Sequence, residues 1–246
     1  MFFQAGPPLL LIFLAVAVFF GLFVLLPVSL VATAFGKLGL TGVQGFIVFA
    51  ATLMGSSVNL PLHRGTRLVR GDAAPASRIF RFSGNLGRIR FGHSAEDSLL
   101  LSEQIIAVNV GGCIVPCLLS AWFLWQMHLS GQLGGWLALS VVISSLACYL
   151  LAKPMPGIGI GVPVLLPPAV AALTAILLAP EFPGQDTVAP RAAYMAGTLG
   201  TLIGADLLHL ANRRTWAMLD APVLSIGGAG TFDGIFLAGI IAVLLA

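Results

Sequence analysis

Residues 8–31 form an uncharged and almost wholly apolar run near the start of the chain. A helix of about 20 apolar residues is long enough to cross the ~30 Å hydrocarbon core of a bilayer. The run has no basic segment before it and is too long for a signal-peptide core. We therefore interpret it as a retained first membrane span.

Further apolar runs follow, and none shows the alternation of a membrane barrel strand. The chain is 58% hydrophobic and only 9% charged, a composition that excludes an ordinary water-soluble domain. We predict an all-α, polytopic transmembrane helical bundle of about seven spans, which is one integral membrane domain over residues 1–246. The predicted spans cover about residues 8–34, 43–62, 103–127, 133–152, 168–179, 192–211 and 231–246.

The net charge of +3 comes from basic residues that cluster. Seven arginines lie between Arg64 and Arg90, and Lys153, Arg213 and Arg214 mark two further places. Basic loops stay on the cytoplasmic side of a membrane, so residues 63–98 are predicted to be a cytoplasmic arginine-rich loop. This pattern indicates a bilayer rather than nucleic acid as the partner, with the N-terminus cytoplasmic and the C-terminus outside.

The segment Pro154–Pro168 is too rich in proline and glycine to be continuous helix. Beyond it only residues 168–179 remain for the fifth span, about 18 Å of helix, which is short of a full crossing. The fifth span is therefore predicted to be broken or re-entrant. Non-helical backbone at that depth requires protein or a water-filled cavity around it.

A second break is predicted at Ser225–Gly230, where S-I-G-G-A-G precedes the last apolar run. Two carboxylates, Asp206 and Asp233, fall inside predicted spans at similar depths near the cytoplasmic side. An ionisable group there costs about 3 kcal/mol, so it indicates function by default. If the two face each other, they share one proton near neutral pH, which suits general acid/base hydrolysis of a peptide.

This arrangement resembles the presenilin and signal-peptide-peptidase (GxGD) group of intramembrane aspartyl proteases. The resemblance implies that Asp206 and Asp233 are catalytic and that Gly228 and Gly230 lie against the substrate. It also implies a substrate-binding proline element beside the site, for which P-V-L-L-P-P with Pro163, Pro167 and Pro168 is the nearest equivalent. Asp233 stands three residues after Gly230 instead of directly after a glycine, and Ala205 replaces the usual tyrosine.

The runs T-L-G-T-L-I-G-A-D-L-L-H-L and S-I-G-G-A-G-T-F-D-G-I-F-L resemble a prokaryotic family of multi-pass membrane proteins of unknown function. That resemblance implies location in a prokaryotic cytoplasmic membrane and brings no activity with it.

Two other functions are consistent with the same residues. An ion- or proton-coupled transporter or channel also uses broken spans and buried carboxylates, and His209, three residues after Asp206, would then be a proton relay or a metal ligand. A non-catalytic accessory membrane subunit would instead keep both aspartates neutral and hydrogen-bonded. The partners expected under these hypotheses are the lipid bilayer and either a transmembrane peptide substrate or other membrane subunits.

The three cysteines, Cys113, Cys117 and Cys148, lie inside predicted spans and indicate no disulfide framework. Cys113 and Cys117 share a helix face, as two soft metal ligands or two small buried thiols would. The sequence has no phosphate loop, haem motif or zinc spacing, so we predict neither a cofactor nor a metal.

Overall fold

A computed structural model describes residues 7–70, 99–155, 159–212, 219, 223–228 and 234–246 of the chain. The described part is mostly helical, as the apolar runs predict. A helix satisfies the backbone hydrogen bonds of an apolar run within the run itself. In chain order the helices are α1 (residues 7–37), α2 (Gly42–Ser56), α3 (Val110–Leu129), α4 (Gly135–Leu151), α5 (Leu166–Leu178), α6 (residues 188–211) and α7 (Gly234–Leu245).

Three of these helices contain a π-helical stretch, in which hydrogen bonds span five residues instead of four. The stretches are Gly21–Leu25 in α1, Val110–Ile114 at the start of α3 and Leu202–Leu207 in α6. The last one carries Asp206. A π-helical turn holds about one residue more than an α-helical turn, so it rotates the side chains that follow it.

The chain also forms strands, and the prediction of an all-α fold is wrong at these places. Strand β1 (Asn59–Arg70) pairs antiparallel with β2 (Leu99–Asn109), and β5 (Val223–Ile226) pairs parallel with the other edge of β2. The span predicted from residue 103 is therefore strand as far as Asn109. A short apolar run fits a strand as well as a helix, and pairing with two neighbouring strands decides between them here.

The predicted loop over residues 63–98 begins inside β1, since residues 63–70 pair with β2. The remaining residues of that predicted loop, 71–98, lie outside the described part of the chain.

The predicted break at Pro154–Pro168 is non-helical in its described part as far as Leu165. Strands β3 (Lys153–Met155) and β4 (Gly159–Gly161) pair antiparallel within it. Helix α5 then begins at Leu166 with prolines in its first turn, where proline costs no hydrogen bond. The break predicted at Ser225–Gly230 is likewise non-helical in its described part: β5 ends at Ile226, and Gly227 and Gly228 have φ of 89° and 99°.

Small residues of α6 line its contact with α4, in a bundle whose core also buries Phe123, Tyr194 and Phe236. Ala192, Ala193 and Ala196 of α6 are fully buried, and Cβ atoms added at Gly200 and Gly204 would collide with Ser144 and with the Ser145 carbonyl oxygen of α4. This glycine stripe lets the two helix backbones approach closely.

Large apolar side chains cover the outside of the same bundle. Trp125 on α3, Leu150 on α4 and Leu177 on α5 are 60%, 71% and 71% exposed. Such exposure is costly in water over so wide an area. Within the described residues, 11–37 and 110–129 form the two helices that are long and apolar enough to cross a membrane.

Two basic side chains bind helix ends together at one end of the bundle. The Lys37 ammonium donates to the carbonyl oxygens of Val243 and Leu244, at 3.5 and 3.2 Å, and so caps the C-terminus of α7. The Arg191 guanidinium, at the start of α6, donates to the Leu38 carbonyl oxygen at 3.0 Å. The end of α6 and the starts of α3 and α7 consequently lie at the opposite end of the bundle, where Asp206 is found.

Candidate aspartate site

Asp206 lies half-buried in the π-helical stretch Leu202–Leu207 of α6. In a regular α-helix, Ala205 would occupy the face that carries Thr198 and Thr201. In the wider π-helical turn, the residue five positions after Thr201 comes closer to that face than in a regular helix. Ala205 is buried there, at 2% exposed, and Asp206 next to it is half-buried.

The turn after β5 binds the Asp206 carboxylate directly. The backbone N–H of Gly227 donates to Asp206 Oδ2 at 2.7 Å, which is at the short end of the range for N–H···O hydrogen bonds. Gly227 is buried with φ of 89°, and a Cβ there would lie 2.7 Å from Cys113 Cβ. Both the backbone conformation and the space admit only glycine without strain.

Strand β5 holds this turn in place. Its pairing with β2 runs from Ile105 opposite Val223 to Val108 opposite Ile226. The Ile226 side chain is buried with Leu202 of α6 and Ile235 of α7 in a small apolar cluster. The sheet, the end of α6 and the start of α7 thus meet beside Asp206.

The second predicted aspartate, Asp233, lies outside the described residues, as does Gly230. The described residues on either side of them are close to the Asp206 site. Gly228 follows Gly227 in the turn, with φ of 99°, and Ile235 packs with Leu202, which is four residues before Asp206.

His209 is buried, with 7% of its surface exposed. Its Nδ1 lies 3.1 Å from the Gly204 carbonyl oxygen, and its ring centroid lies 4.7 Å from that of Tyr149. These contacts fix the imidazole against the helix backbone and one aromatic ring. Among the described residues there is no group of three His, Cys, Asp or Glu side chains that could hold a metal ion.

The predicted proline element lies at the start of α5. Pro163 is exposed, whereas Pro167 and Pro168 are buried in the first turn of the helix. Helix α5 makes its main contacts with α4, α7 and the Val188–Thr201 part of α6. The described contacts thus bring the Gly227 turn to Asp206 and do not place the prolines there.

One network beside the site was not predicted from the sequence. Asn109, only 1% exposed, donates to the Ser56 carbonyl oxygen at 2.7 Å and to Asn59 Oδ1 at 3.1 Å, and accepts from the Gly112 N–H at 2.8 Å. Ser225 of β5 donates to the same Asn59 oxygen at 2.6 Å. The network ties the three strands of the sheet formed by β1, β2 and β5 to α2 and α3. The sequence signal for it is an asparagine directly before the glycine-rich start of a helix.

The site can chemically act as a base. A carboxylate that accepts one backbone N–H keeps further lone pairs for a water molecule or a second carboxyl group. The fixed N–H orients the carboxyl group.

Comparison with known proteins yields one family. Residues 53–245, well over half of the chain, match the family described as protein of unknown function (DUF1614). Neither the curated proteins nor the solved structures contain a match to the chain.

Proposed function

The chain belongs to the DUF1614 family, and we propose that it is a seven-span membrane protein that hydrolyses peptide bonds with Asp206 and Asp233. The observation that carries this proposal is the 2.7 Å bond from the Gly227 N–H to Asp206. It supports a single site in which the glycine-rich segment before Asp233 and the carboxylate of α6 act together.

The packing supports a membrane environment for this site. Large apolar side chains such as Trp125, Leu150 and Leu177 face outwards, and α6 approaches α4 closely at Gly200 and Gly204. An apolar outer surface and close helix contacts at small residues are expected when lipid is the solvent. We place the seven helices across a prokaryotic cytoplasmic membrane, with the N-terminus in the cytoplasm and the C-terminus outside, from the positions of the arginines.

The proposed chemistry divides two roles between the carboxyl groups. With the two carboxyl groups facing each other, their like charge makes one proton per pair the stable state near neutral pH. The ionised carboxylate takes a proton from a water molecule that attacks the scissile carbonyl carbon, and the protonated carboxyl donates to the carbonyl oxygen. We assign the base to Asp206, because the Gly227 N–H holds its carboxyl group in a fixed position.

The substrate of this chemistry is an extended segment of a transmembrane peptide. In the described sheet, β5 pairs on one side with β2 and forms the edge of the sheet. An extended peptide can pair with such an edge through its backbone. Strand β5 leads directly into Gly227 and Gly228, so a peptide paired with it would pass Asp206.

The test is cleavage of a panel of single-span peptides by the purified protein in lipid. We expect Asp206→Asn and Asp233→Asn each to lower cleavage by at least about a hundredfold, since each removes one half of an acid/base pair. Asp186→Asn, at an exposed residue in the connection between α5 and α6, is the matched control and should cleave like the wild type. Wild-type rates in either site variant would refute the proposal.

A second candidate function is ion- or proton-coupled transport. Hydroxyl and thiol groups pair across the buried helix interfaces, with Ser120 and Thr198 at 3.3 Å and Cys148 and Thr201 at 3.6 Å. Together with Asp206 they give α6 a polar character, which a coupled transporter requires. Transport would be favoured if the protein cleaves no peptide but shows pH-dependent ion or solute flux into liposomes, and if Asp206→Asn abolishes that flux. Absence of both cleavage and flux would favour a non-catalytic subunit.

A further inference from the structure

The buried His209 imidazole lies on α6 just beyond the π-helical stretch that carries Asp206. Its Nδ1 lies 3.1 Å from the carbonyl oxygen of Gly204, inside that stretch. A carbonyl oxygen only accepts hydrogen bonds, so Nδ1 carries the hydrogen and donates it. The two residues are five apart in sequence, which is also the spacing of a π-helical hydrogen bond. The histidine side chain therefore spans the turn from which Asp206 projects.

Helix α4 holds both ends of this turn. The rings of Tyr149 and His209 are tilted by 46° with their centroids 4.7 Å apart, which is a favourable distance for an aromatic pair. One helical turn earlier on α4, the Ser145 carbonyl oxygen occupies the space that a Cβ at Gly204 would need. The backbone at Gly204 thus lies directly against α4, and the His209 ring continues the same contact at the other end of the turn.

The shape of the turn decides where the Asp206 carboxyl group lies. Asp206 stands between Gly204 and His209 in sequence, and its Oδ2 accepts the Gly227 N–H at 2.7 Å. A π-helical turn holds about one residue more than an α-helical turn, so a return to a regular helix would turn the Asp206 side chain away from its present direction. Hydrogen bonds weaken steeply with a change in angle. The bond to Gly227 therefore depends on the π-helical form of the turn.

We propose that His209 is a positioning residue for Asp206. Its Nδ1–H, bound to the Gly204 carbonyl oxygen, holds the turn in the form that presents the carboxyl group to Gly227. This role differs from that of a proton relay or a metal ligand, because Nδ1 acts as a fixed hydrogen-bond donor. The effect of His209 on catalysis rests on the proposed hydrolysis, whereas its effect on the bond between Asp206 and Gly227 does not.

Amide hydrogen exchange at Gly227 tests the positioning without any activity. Full-length wild type, His209→Phe and His209→Asn are compared in detergent. Phenylalanine keeps a ring against Tyr149 but has no donor, whereas the asparagine amide offers an N–H close to the place of Nδ1. We expect exchange at Gly227 to accelerate at least about threefold in His209→Phe and to stay within about twofold of the wild type in His209→Asn.

Two results of this exchange measurement would overturn the proposal. Equal exchange at Gly227 in the wild type and His209→Phe would show that the turn does not depend on the imidazole. The same acceleration in His209→Phe and His209→Asn would assign the effect to the lost volume of the side chain and not to its donor.

A second measurement uses the wild type alone and does not depend on how the variants fold. The chain has four histidines, and nitrogen-15 NMR of histidine-labelled protein reports which ring nitrogen of each carries the hydrogen. We expect one neutral imidazole with its hydrogen on Nδ1, because the bond to the Gly204 carbonyl oxygen fixes that tautomer. If every neutral imidazole carries its hydrogen on Nε2, Nδ1 of His209 cannot donate and the proposal fails.

Cleavage of single-span peptides in lipid tests the effect on catalysis. We expect His209→Phe to lower kcat at least about tenfold and to leave KM within about twofold of the wild type, since a misplaced carboxyl group slows the chemistry and not the binding. His209→Asn should recover most of the loss. His128→Phe, at an exposed histidine of α3, is the matched control and should cleave like the wild type.

Failure of the positioning role and failure of the proposed hydrolysis give different results. An unchanged kcat in His209→Phe, with an active wild type, would overturn the role of His209 in catalysis. A wild type that cleaves no peptide would contradict the proposed hydrolysis, and exchange at Gly227 would still decide whether His209 positions Asp206.

Discussion

The Gly227 backbone N–H donates a hydrogen bond to Asp206 Oδ2 over 2.7 Å. The two residues are 21 positions apart in sequence, and they join the π-helical end of α6 to the turn that follows β5. A buried polar group that loses its partner costs more than the bond itself is worth. Unfolding measurements therefore test this hydrogen bond independently of any catalytic activity.

Asp206→Asn and Asp206→Ala should differ in stability although both remove the charge. The asparagine carbonyl oxygen can still accept the Gly227 N–H, whereas alanine leaves that buried donor unpaired, at a cost of about 1–3 kcal/mol. In detergent, the wild type and Asp206→Asn should have similar melting temperatures, and Asp206→Ala should have a clearly lower one. Equal melting temperatures for the two variants would contradict the structural role of the bond.

Gly227→Ala should destabilise the protein by about 1–3 kcal/mol. Its φ of 89° is unfavourable for alanine, and the added methyl group would contact Cys113. Gly234→Ala is the matched control, because a Cβ at that residue meets nothing within 4 Å. The measurement is again thermal unfolding, and similar stability of the two variants would show that the turn is not under this constraint.

Asn109→Ala should be the most destabilising of these substitutions, by about 2–4 kcal/mol. It removes three hydrogen bonds at a residue that is 1% exposed, and it leaves the Gly112 N–H and Asn59 without that partner. Asn59→Ala breaks only the branch to Asn109 and Ser225, so it should cost less. The reverse order in unfolding experiments would refute the central position of Asn109.

Lys37→Met should loosen the last turn of α7 without unfolding the protein. The ammonium binds the Val243 and Leu244 carbonyl oxygens, and a cation at a helix C-terminus contributes about 0.3–1 kcal/mol. Amide hydrogen exchange at residues 243–246 should accelerate about two- to fivefold, while exchange in α4 stays constant. Lys37→Arg, which keeps the charge, should exchange like the wild type.

The helices were largely predictable from the sequence because their signal is local. Seven apolar runs correspond to seven helices of the described chain, and most of their ends are displaced by a few residues. The predicted span 43–62 ends as a helix at Ser56, and its last four residues belong to β1. For the run after residue 103 the displacement is larger, since Ile105 and Ile106 belong to β2. In an apolar run of that length, the spacing of apolar residues does not distinguish a strand from a helix. Its strand partners are about 40 and 120 residues away in the sequence, so no local signal indicates the pairing.

The candidate site was predictable only in part. Apolar context identifies Asp206 as unusual, and the glycine content identifies the turn at Gly227 and Gly228. The π-helical stretch that carries Asp206 has no sequence signature, because it depends on packing around α6. The bond between Asp206 and Gly227 depends on β5 pairing with β2, which the prediction of an all-α fold excluded.

The most direct test of a shared aspartate site measures the distance between positions 206 and 233. The carboxyl groups should lie within about 8 Å of each other if they exchange a proton through water or close on a peptide. Asp206→Cys and Asp233→Cys are combined in a chain with Cys113, Cys117 and Cys148 replaced by serine. The chain is then treated in lipid with a bifunctional thiol reagent of about that span.

We predict that mass spectrometry finds the two positions linked in most chains. The control combines Asp206→Cys with Glu181→Cys, which precedes α6 and lies toward the Arg191 end of that helix, and it should give no linked peptide. A failure to link positions 206 and 233, with both thiols still reactive toward a monofunctional reagent, would contradict a shared site and with it the proposed hydrolysis.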